Sequence, residues 1–247
     1  MKERPFPRQV RQLAPDESFQ FRCHAGVPCF NECCRLLELA ISPYDVLRLK
    51  HALGLTARQF LNQYAVVEQA ATGGFPLVYL AMLGDSRGSC PFVAEQGCTV
   101  YEDRPAACRA YPLGRGTFRT ASGEIQNIHV LLAEPHCQGG HEDQRQSIDC
   151  WETEQGLDLY NPFNDQVVAI VQHDRLRQGM KPSEAQRQLY LATLYDQDGF
   201  GQSILQAAGP AGQDLSALEK QALVADSSAL LAYGFKWLTQ ELFNSGG

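Results

Sequence analysis

Hydrophobic residues in the second half of the chain recur at the spacing of an α-helix. In the last segment they predict a helix over 215–243 with an apolar stripe that packs into a core, and the stripe consists of Leu215, Leu218, Ala222, Leu230, Phe235, Leu238 and Leu242. Shorter runs predict helices over 147–155, 162–177 and 183–195, the last starting at Ser183. The stretch 207–214 is typical of a linker or turn.

The first half mixes helix starts with strand-like runs. Ser42 before Pro43 predicts an N-cap and a helix that runs to Gly54, and Thr56 with Gln59 predicts a capping box for a second short helix. Two apolar runs on either side of 71–75 predict a hairpin, and 98–101 and 118–132 predict a short strand and a further hairpin over 121–123.

Together these elements predict an α+β protein that is predominantly helical. Three prolines make 1–20 an extended or loosely ordered N-terminal extension. We expect 21–145 to form a cysteine-rich metal-binding region with short strands, and 146–247 to form a helical region packed on it.

Composition narrows the possible classes of function. The 247 residues carry a net charge of −7, which argues against nucleic acid and anionic membranes as partners. The N-terminus has no apolar run of the kind that a secretory signal needs, and no stretch reaches the roughly 18 apolar residues of a membrane span. These features predict a cytoplasmic protein.

Cysteine is the unusual residue in this composition. The nine cysteines are Cys23, Cys29, Cys33, Cys34, Cys90, Cys98, Cys108, Cys137 and Cys150. In a reducing compartment such a dense set more often binds metal than forms disulfides, and an odd number does not complete a disulfide framework. Thiolates are soft ligands that suit zinc, copper(I) and iron–sulfur clusters.

The spacing of the cysteines indicates a thiolate site without naming the metal. A closed zinc site or a cubane cluster takes about four thiolates, so the first eight cysteines can fill two sites, or one with buried thiols left over. Cys29 and Cys33 are four positions apart and would share one face of a helix, while Cys34 would point elsewhere. The spacing is neither that of a zinc ribbon nor the bacterial ferredoxin run.

Two ordered blocks carry a resemblance to a known family. The first is Phe21-x-Cys23 followed by Cys29 and Cys33-Cys34, and the second is CPFVAEQGCTVYEDRPAACRAYPL over 90–113, with Cys137-Gln-Gly-Gly after it. Over 21–141 the chain resembles the YkgJ-type cysteine-cluster proteins, a zinc- or iron-chelating family. Its first cluster is looser than the commonest family spacing, C-x2-C-x2-CC.

The resemblance implies a ligand set and a choice of cofactor. The metal ligands it implies are Cys23, Cys29, Cys33, Cys34, Cys90, Cys98, Cys108 and Cys137, while Cys150 lies outside the shared set. Because some family members are described as iron–sulfur oxidoreductases, the resemblance favours an iron–sulfur cluster, with zinc as the alternative.

Three functional hypotheses follow for this chain. The first is an iron–sulfur protein with a redox or group-transfer role, and the second is a non-catalytic zinc protein that acts through partner binding. The third, a protein lysine N-methylase, rests only on the presence of this domain in flagellin lysine N-methylases. The sequence assigns no catalytic residue, leaves open whether the chain is an enzyme, and leaves its protein or small-molecule partner unknown.

Several other residues lie close to the predicted ligands. Arg104 and Arg109 bracket Cys108 and would stabilise a negatively charged thiolate centre. His24, His136 and His141 flank ligand candidates, but an ordinary hydrogen-bonding role is the preferred interpretation for each.

Overall fold

The computed structural model describes residues 9–70, 73–120, 122, 124–206 and 210–243. It confirms a mixed α+β fold that is mostly helical. The strands are β1 (Gln9–Leu13), β2 (Ser18–Gln20), β3 (Ala65–Glu68), β4 (Leu77–Leu80), β5 (Val93–Ala94), β6 (Gly97–Cys98), β7 (Leu113–Arg119), β8 (Ile125–Ala133) and β9 (Arg145–Ser147). The helices are α1 (Pro43–Ala52), α2 (Ala57–Tyr64), α3 (Ala106–Ala110), α4 (Ile148–Glu154), α5 (Asn161–Val171), α6 (Asp174–Arg177), α7 (Glu184–Leu194), α8 (Gln197–Leu205), α9 (Ala217–Ala225) and α10 (Ser227–Phe243).

The chain divides into two compact units that each combine separate stretches of sequence. The first unit comprises the chain up to Ile41 together with Tyr79–Pro162, and the second comprises Ser42–Val78 together with the chain from Phe163 onward. All nine cysteines therefore lie in the first unit. Among the described residues, no helix combines the length and apolarity that crossing a bilayer requires.

Antiparallel strands organise the first unit. β8 lies between β1 and β7, and β2 pairs with β9. One apolar cluster packs against this framework, and its buried members are Leu13, Phe19, Phe21, Leu113, Ile148 and Trp151. The Trp151 ring meets the edges of Phe19 and Phe21 at centroid distances of 6.0 and 5.7 Å, a geometry that aromatic quadrupoles favour.

Comparison with the predicted strands gives two confirmations and two corrections. β7 and β8 form the hairpin predicted over 118–132, and β3 pairs with β4 as predicted, although residues 71–72, 121 and 123 of the two turns lie outside the described residues. Of the two alternatives predicted for 1–20, extended or loosely ordered, the second was wrong for the described part, because β1 and β2 are extended strands that hydrogen-bond to distant strands. Of the strand predicted over 98–101, only Cys98 is in a strand.

Several helices of the second unit begin at a capping residue. Ser42 caps α1, Thr56 caps α2 and Ser183 caps α7, each in a capping box in which the cap hydroxyl accepts the N3 amide and the N3 side chain accepts the cap amide. These three starts confirm the sequence predictions. A core cluster of Phe200, Ile204, Ala211 and Leu230 packs the later helices together.

The helices of the second unit are shorter than their hydrophobic patterns predicted. The run predicted over 215–243 is two helices, because the Asp226 carboxylate accepts the amides of Ser228 and Ala229 and starts α10 anew. The run predicted over 162–177 also breaks, and His173 caps α6. The sequence did not predict α8, which Asp196 caps through the amide of Gly199 at 3.2 Å.

Candidate metal centre

The first cysteine cluster follows β2 and lies mostly in turns. Cys29 precedes a short 3-10 helix at Glu32–Cys34, which starts at Asn31 in the left-handed backbone region with φ of 67°. The α-helical turn that would place Cys29 and Cys33 on one face is therefore not formed. Asn31 instead donates its side-chain amide to the carbonyl oxygen of Ala94 at 3.0 Å, which joins this loop to the β5–β6 hairpin.

Cys137 is held beside this first cluster by backbone contacts. The amide of Arg22 donates to the carbonyl oxygen of Gly139 at 3.0 Å, and the amide of Gln138 donates to the Cys29 sulfur at 3.1 Å. A Cβ at Gly139 would lie 2.6 Å from the Phe21 ring and 2.9 Å from the Arg22 carbonyl oxygen. Glycine therefore permits the close approach of these two segments.

A second set of contacts brings Cys90 and Cys98 to Cys34. The amide of Cys90 donates to the carbonyl oxygen of Cys34 at 2.8 Å, beside an antiparallel bridge between Arg35 and Ser89. Cys98 lies opposite Val93 in the β5–β6 hairpin, one turn after Cys90. Three stretches of sequence that are far apart thus bring cysteines together.

Cys108 lies on α3, where its side chain is exposed. The indole nitrogen of Trp151 donates to the carbonyl oxygen of Ala110 at 2.9 Å and ties the end of α3 to the core. The charge of a Cys108 thiolate would act on Arg104, and Arg104 in turn acts on Cys98. Cys108 is therefore linked to the other cysteines through this guanidinium.

Burial and neighbouring thiols keep several of the cysteines protonated. Burial, followed by the charges of Cys33, Cys29 and Cys137, raises the pKa of Cys23 to about 11. A hydrogen bond with Cys34 and then burial raise the pKa of Cys33 well above its ordinary range.

Backbone amides oppose this effect at the other buried thiols. Burial raises the pKa of Cys90, Cys98 and Cys137, while hydrogen bonds from backbone amides lower it at each of the three. Amides aimed at sulfur stabilise the thiolate form, which is the form that binds metal. The pKa of each thiol is still raised overall, so the metal-free surroundings favour the neutral thiol and a bound cation would favour the thiolate.

The types of side chain and backbone group in the first unit suit a soft metal ion. The first unit supplies thiols, amide groups directed at sulfur, and two buried arginines, all of which suit a negatively charged thiolate centre. Within the described residues, no three His, Cys, Asp or Glu side chains are placed together as a ready ligand set for a metal ion. The contacts that join the cysteine-bearing segments are thus made by backbone amides.

Glu134, which the sequence did not indicate, and Tyr111 also lie at this centre. The Glu134 carboxylate acts on Cys33 and on Tyr111, and it lies 3.7 Å from His136 Nε2. Burial and then Cys137 raise the pKa of the Tyr111 hydroxyl, which faces that thiol. The only feature of the sequence that points to Glu134 is its position three residues before Cys137. In the structure the Cys137 amide donates to the Glu134 carbonyl oxygen at 2.9 Å and closes a turn.

Two other candidates have ordinary partners. His24 Nε2 lies 3.1 Å from the Glu142 carboxylate, and its Nδ1 accepts the Gly26 amide at 3.1 Å. Cys150 is exposed on α4 and its sulfur lies 3.4 Å from Glu154. These contacts are ordinary hydrogen-bonding roles of the kind that the sequence analysis preferred for His24.

Comparison with known proteins identifies one family. No curated protein and no solved structure matches the chain significantly. Residues 22–138, which include eight of the nine cysteines, match the CxxCxxCC family, whose description is "Putative zinc- or iron-chelating domain". That description supports a metal cofactor and does not distinguish zinc from iron. Residues 22–138 are therefore identified as a domain of the CxxCxxCC family.

Proposed function

We propose that this protein holds an iron–sulfur cluster through cysteine thiolates and acts in electron or group transfer. The proposed ligands are Cys23, Cys29, Cys33, Cys34, Cys90, Cys98, Cys108 and Cys137. Eight cysteines are enough for one or two four-thiolate centres. The family description allows iron as well as zinc, and the choice of iron–sulfur rests on the resemblance to family members described as iron–sulfur oxidoreductases.

One observation carries the proposal. Cysteines from three separate stretches of sequence meet in one unit, and backbone amides point at several of their sulfur atoms. The Gln138 amide on the Cys29 sulfur, at 3.1 Å, is the clearest of these contacts. Hydrogen bonds to sulfur and burial are the means by which proteins tune iron–sulfur clusters.

The chain's own part in such chemistry is to hold and shield the centre. A bound cluster supplies one-electron chemistry. Cys90 is buried and Tyr111 covers Cys137, so the side of the centre formed by these residues is sheltered from water. The structure assigns no substrate-binding residue, and we expect the electron or group-transfer partner to be a protein or small molecule.

We also propose a cytoplasmic location for the protein. A thiolate metal centre needs reduced cysteines, and a reducing compartment keeps cysteines in that state. The net charge of −7 supports a partner other than nucleic acid or an anionic membrane.

Reconstitution tests the cluster directly. The thiol-reduced, metal-free chain is incubated without oxygen with either iron and sulfide or Zn²⁺ alone, then desalted. We expect the iron sample to keep iron and sulfide and to gain a broad absorption band near ~400 nm, as thiolate-bound clusters do. Retention of zinc together with loss of iron and sulfide would overturn the cluster in favour of a structural zinc site.

A further inference from the structure

The three-stranded sheet β1-β8-β7 has one face that packs on the core and one that faces solvent. Leu13 and Leu113 belong to the buried apolar cluster, and their cross-strand partners His129 and Leu131 lie on the same face, because directly paired residues of an antiparallel sheet point to one side. Successive side chains alternate between the two faces of a strand. The outward face therefore consists of Val10, Gln12, Gly114, Gly116, Phe118, Gln126, Ile128, Val130 and Leu132.

This outward face is largely apolar, although it is open to water. The exposed fraction is 57% for Val10 and 39% for both Ile128 and Phe118. Val10 lies opposite Leu132 in the register, which extends the apolar surface from the edge strand β1 to the central strand β8. Contiguous apolar surface on a protein that folds by itself often marks an interaction site.

Two glycines in β7 make the face flat. A Cβ at Gly114 would lie 2.9 Å from Cγ2 of Val130. A Cβ at Gly116 would lie 2.9 Å from Cγ1 of Ile128. The side chains of Val130 and Ile128 therefore occupy the space that side chains on β7 would otherwise fill, and they cover the strand with aliphatic groups.

The outward face also carries no charge. Charged residues make up 20% of the chain, yet none of the nine described residues of this face is charged. The arginines of the same strands, Arg11, Arg115 and Arg119, all lie on the opposite face. A surface that meets only water usually mixes both signs of charge with few large apolar residues.

The absence of charge favours a second copy of the chain as the partner. In a contact between identical surfaces, charged groups near the twofold axis meet groups of the same sign, which costs affinity. With a net charge of −7, two copies repel each other over most of their surface. The outward face avoids that repulsion, and it provides no charges that would attract a different, charged partner.

We propose that the outward face of the β1-β8-β7 sheet is a self-association surface, through which two copies of the chain pack sheet against sheet. Three strands about 4.8 Å apart and about five residues long give a face of about 250 Å². A standard interface buries about 800 Å² per partner, so the dimer is a weak one that forms as the protein concentration rises. This inference does not depend on the proposed function.

The test measures the mass of the full-length chain by sedimentation velocity from about 1 µM to about 1 mM, the range that covers weak association. A thiol reductant keeps the exposed Cys108 and Cys150 from forming disulfides between copies. Val10→Lys and Ile128→Lys each place a charge on the face. Leu218→Lys is the matched control, because it makes the same change of charge at an apolar residue of the second unit that is 79% exposed.

We expect the mass of the unchanged chain to rise from 27.4 kDa towards twice that value with concentration. Val10→Lys and Ile128→Lys should weaken the association by about tenfold or more, because like charges that face each other across an interface cost several kcal/mol. Leu218→Lys should associate as the unchanged chain does, since its added charge lies away from the face.

A mass that stays at that of the monomer over the whole range would overturn the inference. Association that is equally strong in Val10→Lys and Ile128→Lys would also overturn it, because the contact would then lie elsewhere on the chain. Circular dichroism shows whether each variant keeps its fold. If Ile128→Lys does not fold, Val10→Lys decides alone, since Val10 is the more exposed of the two and lies on an edge strand.

Discussion

Replacing Cys98 with serine removes one thiolate from the centre while keeping the shape of the side chain. Cys98 is half-buried, lies opposite Val93 in the β5–β6 hairpin, and is influenced by the Val100 amide and by Arg104. A serine hydroxyl fits the same space but stays protonated near neutral pH and is a hard ligand, so it does not replace the thiolate.

The expected loss follows from the energy of a thiolate site. Structural zinc sites contribute about 10–16 kcal/mol in total. Divided over about four ligands, one thiolate is worth about 3 kcal/mol, which corresponds to about a hundredfold in affinity. The metal-free fold should change by less than ~1 kcal/mol, because the substitution is nearly isosteric at a half-buried position.

The assay measures metal retained per polypeptide after dialysis against a chelator of known affinity. Cys150→Ser is the matched control, because Cys150 lies in the same unit, is exposed, and contacts only Glu154 among the hydrogen bonds described for its sulfur. We expect Cys98→Ser to lose metal and Cys150→Ser to keep it. Cys34→Ser and Cys108→Ser should behave like Cys98→Ser.

The assignment of ligands would be refuted if the Cys34, Cys98 and Cys108 variants all retained as much metal as the unchanged chain. A loss of metal in Cys150→Ser equal to that in Cys98→Ser would contradict it as well, since the effect would then not distinguish ligands from exposed thiols.

Three further predictions concern pH and stability. Burial raises the pKa of Cys23 from an ordinary 9.0 to about 11 in the folded metal-free protein, so between these pH values the folded state binds more protons than the unfolded state. The contribution of Cys23 to stability is therefore complete below about pH 9 and is lost as the pH rises towards 11. Urea unfolding at several pH values would show a free energy of unfolding that declines with pH. Ser183→Ala removes the hydroxyl that accepts the Gln186 amide at 3.2 Å and should cost about 1 kcal/mol in urea unfolding without changing metal content, and an unchanged midpoint would count against the cap. Lys50 is buried and its ammonium group pairs with the Asp198 carboxylate at 2.7 Å, so Asp198→Ala leaves a buried charge without its partner. Because Asp198 is partly exposed, we expect the free energy of unfolding to fall by only about 2 kcal/mol. A loss below ~0.5 kcal/mol would show that the pair is unimportant.

Features that depend on residues close together in the sequence could be predicted from it. Ser42, Thr56 and Ser183 each start a helix where their short polar side chain can accept an amide a few residues on. The ends of the helices within the long apolar runs could not be predicted in this way. Asp226 interrupts 215–243 with a new cap, although the apolar periodicity continues through it.

Features that depend on distant partners were missed. The sequence predicts only an N-terminal extension over 1–20, because the hydrogen bonds of β1 and β2 go to β8 and β9, more than a hundred residues away. The grouping of Ser42–Val78 with the chain from Phe163 onward has no local signal either.

For the site, the chemistry was predictable and the arrangement was not. Soft thiolates at this density indicate a metal centre whatever the fold. The contact of Gln138 with Cys29 and the proximity of Glu134 to Cys33 arise only when the chain returns after β8.

The most direct test of the account is metal and acid-labile sulfide analysis of the full chain, purified without oxygen and without chelators. The account predicts iron and sulfide bound in comparable amounts, several atoms per polypeptide, as in thiolate-held clusters. Stoichiometric zinc without sulfide would contradict the iron–sulfur assignment and make the cysteines a structural site. A chain free of both metals, with all its thiols reactive, would contradict the metal centre itself.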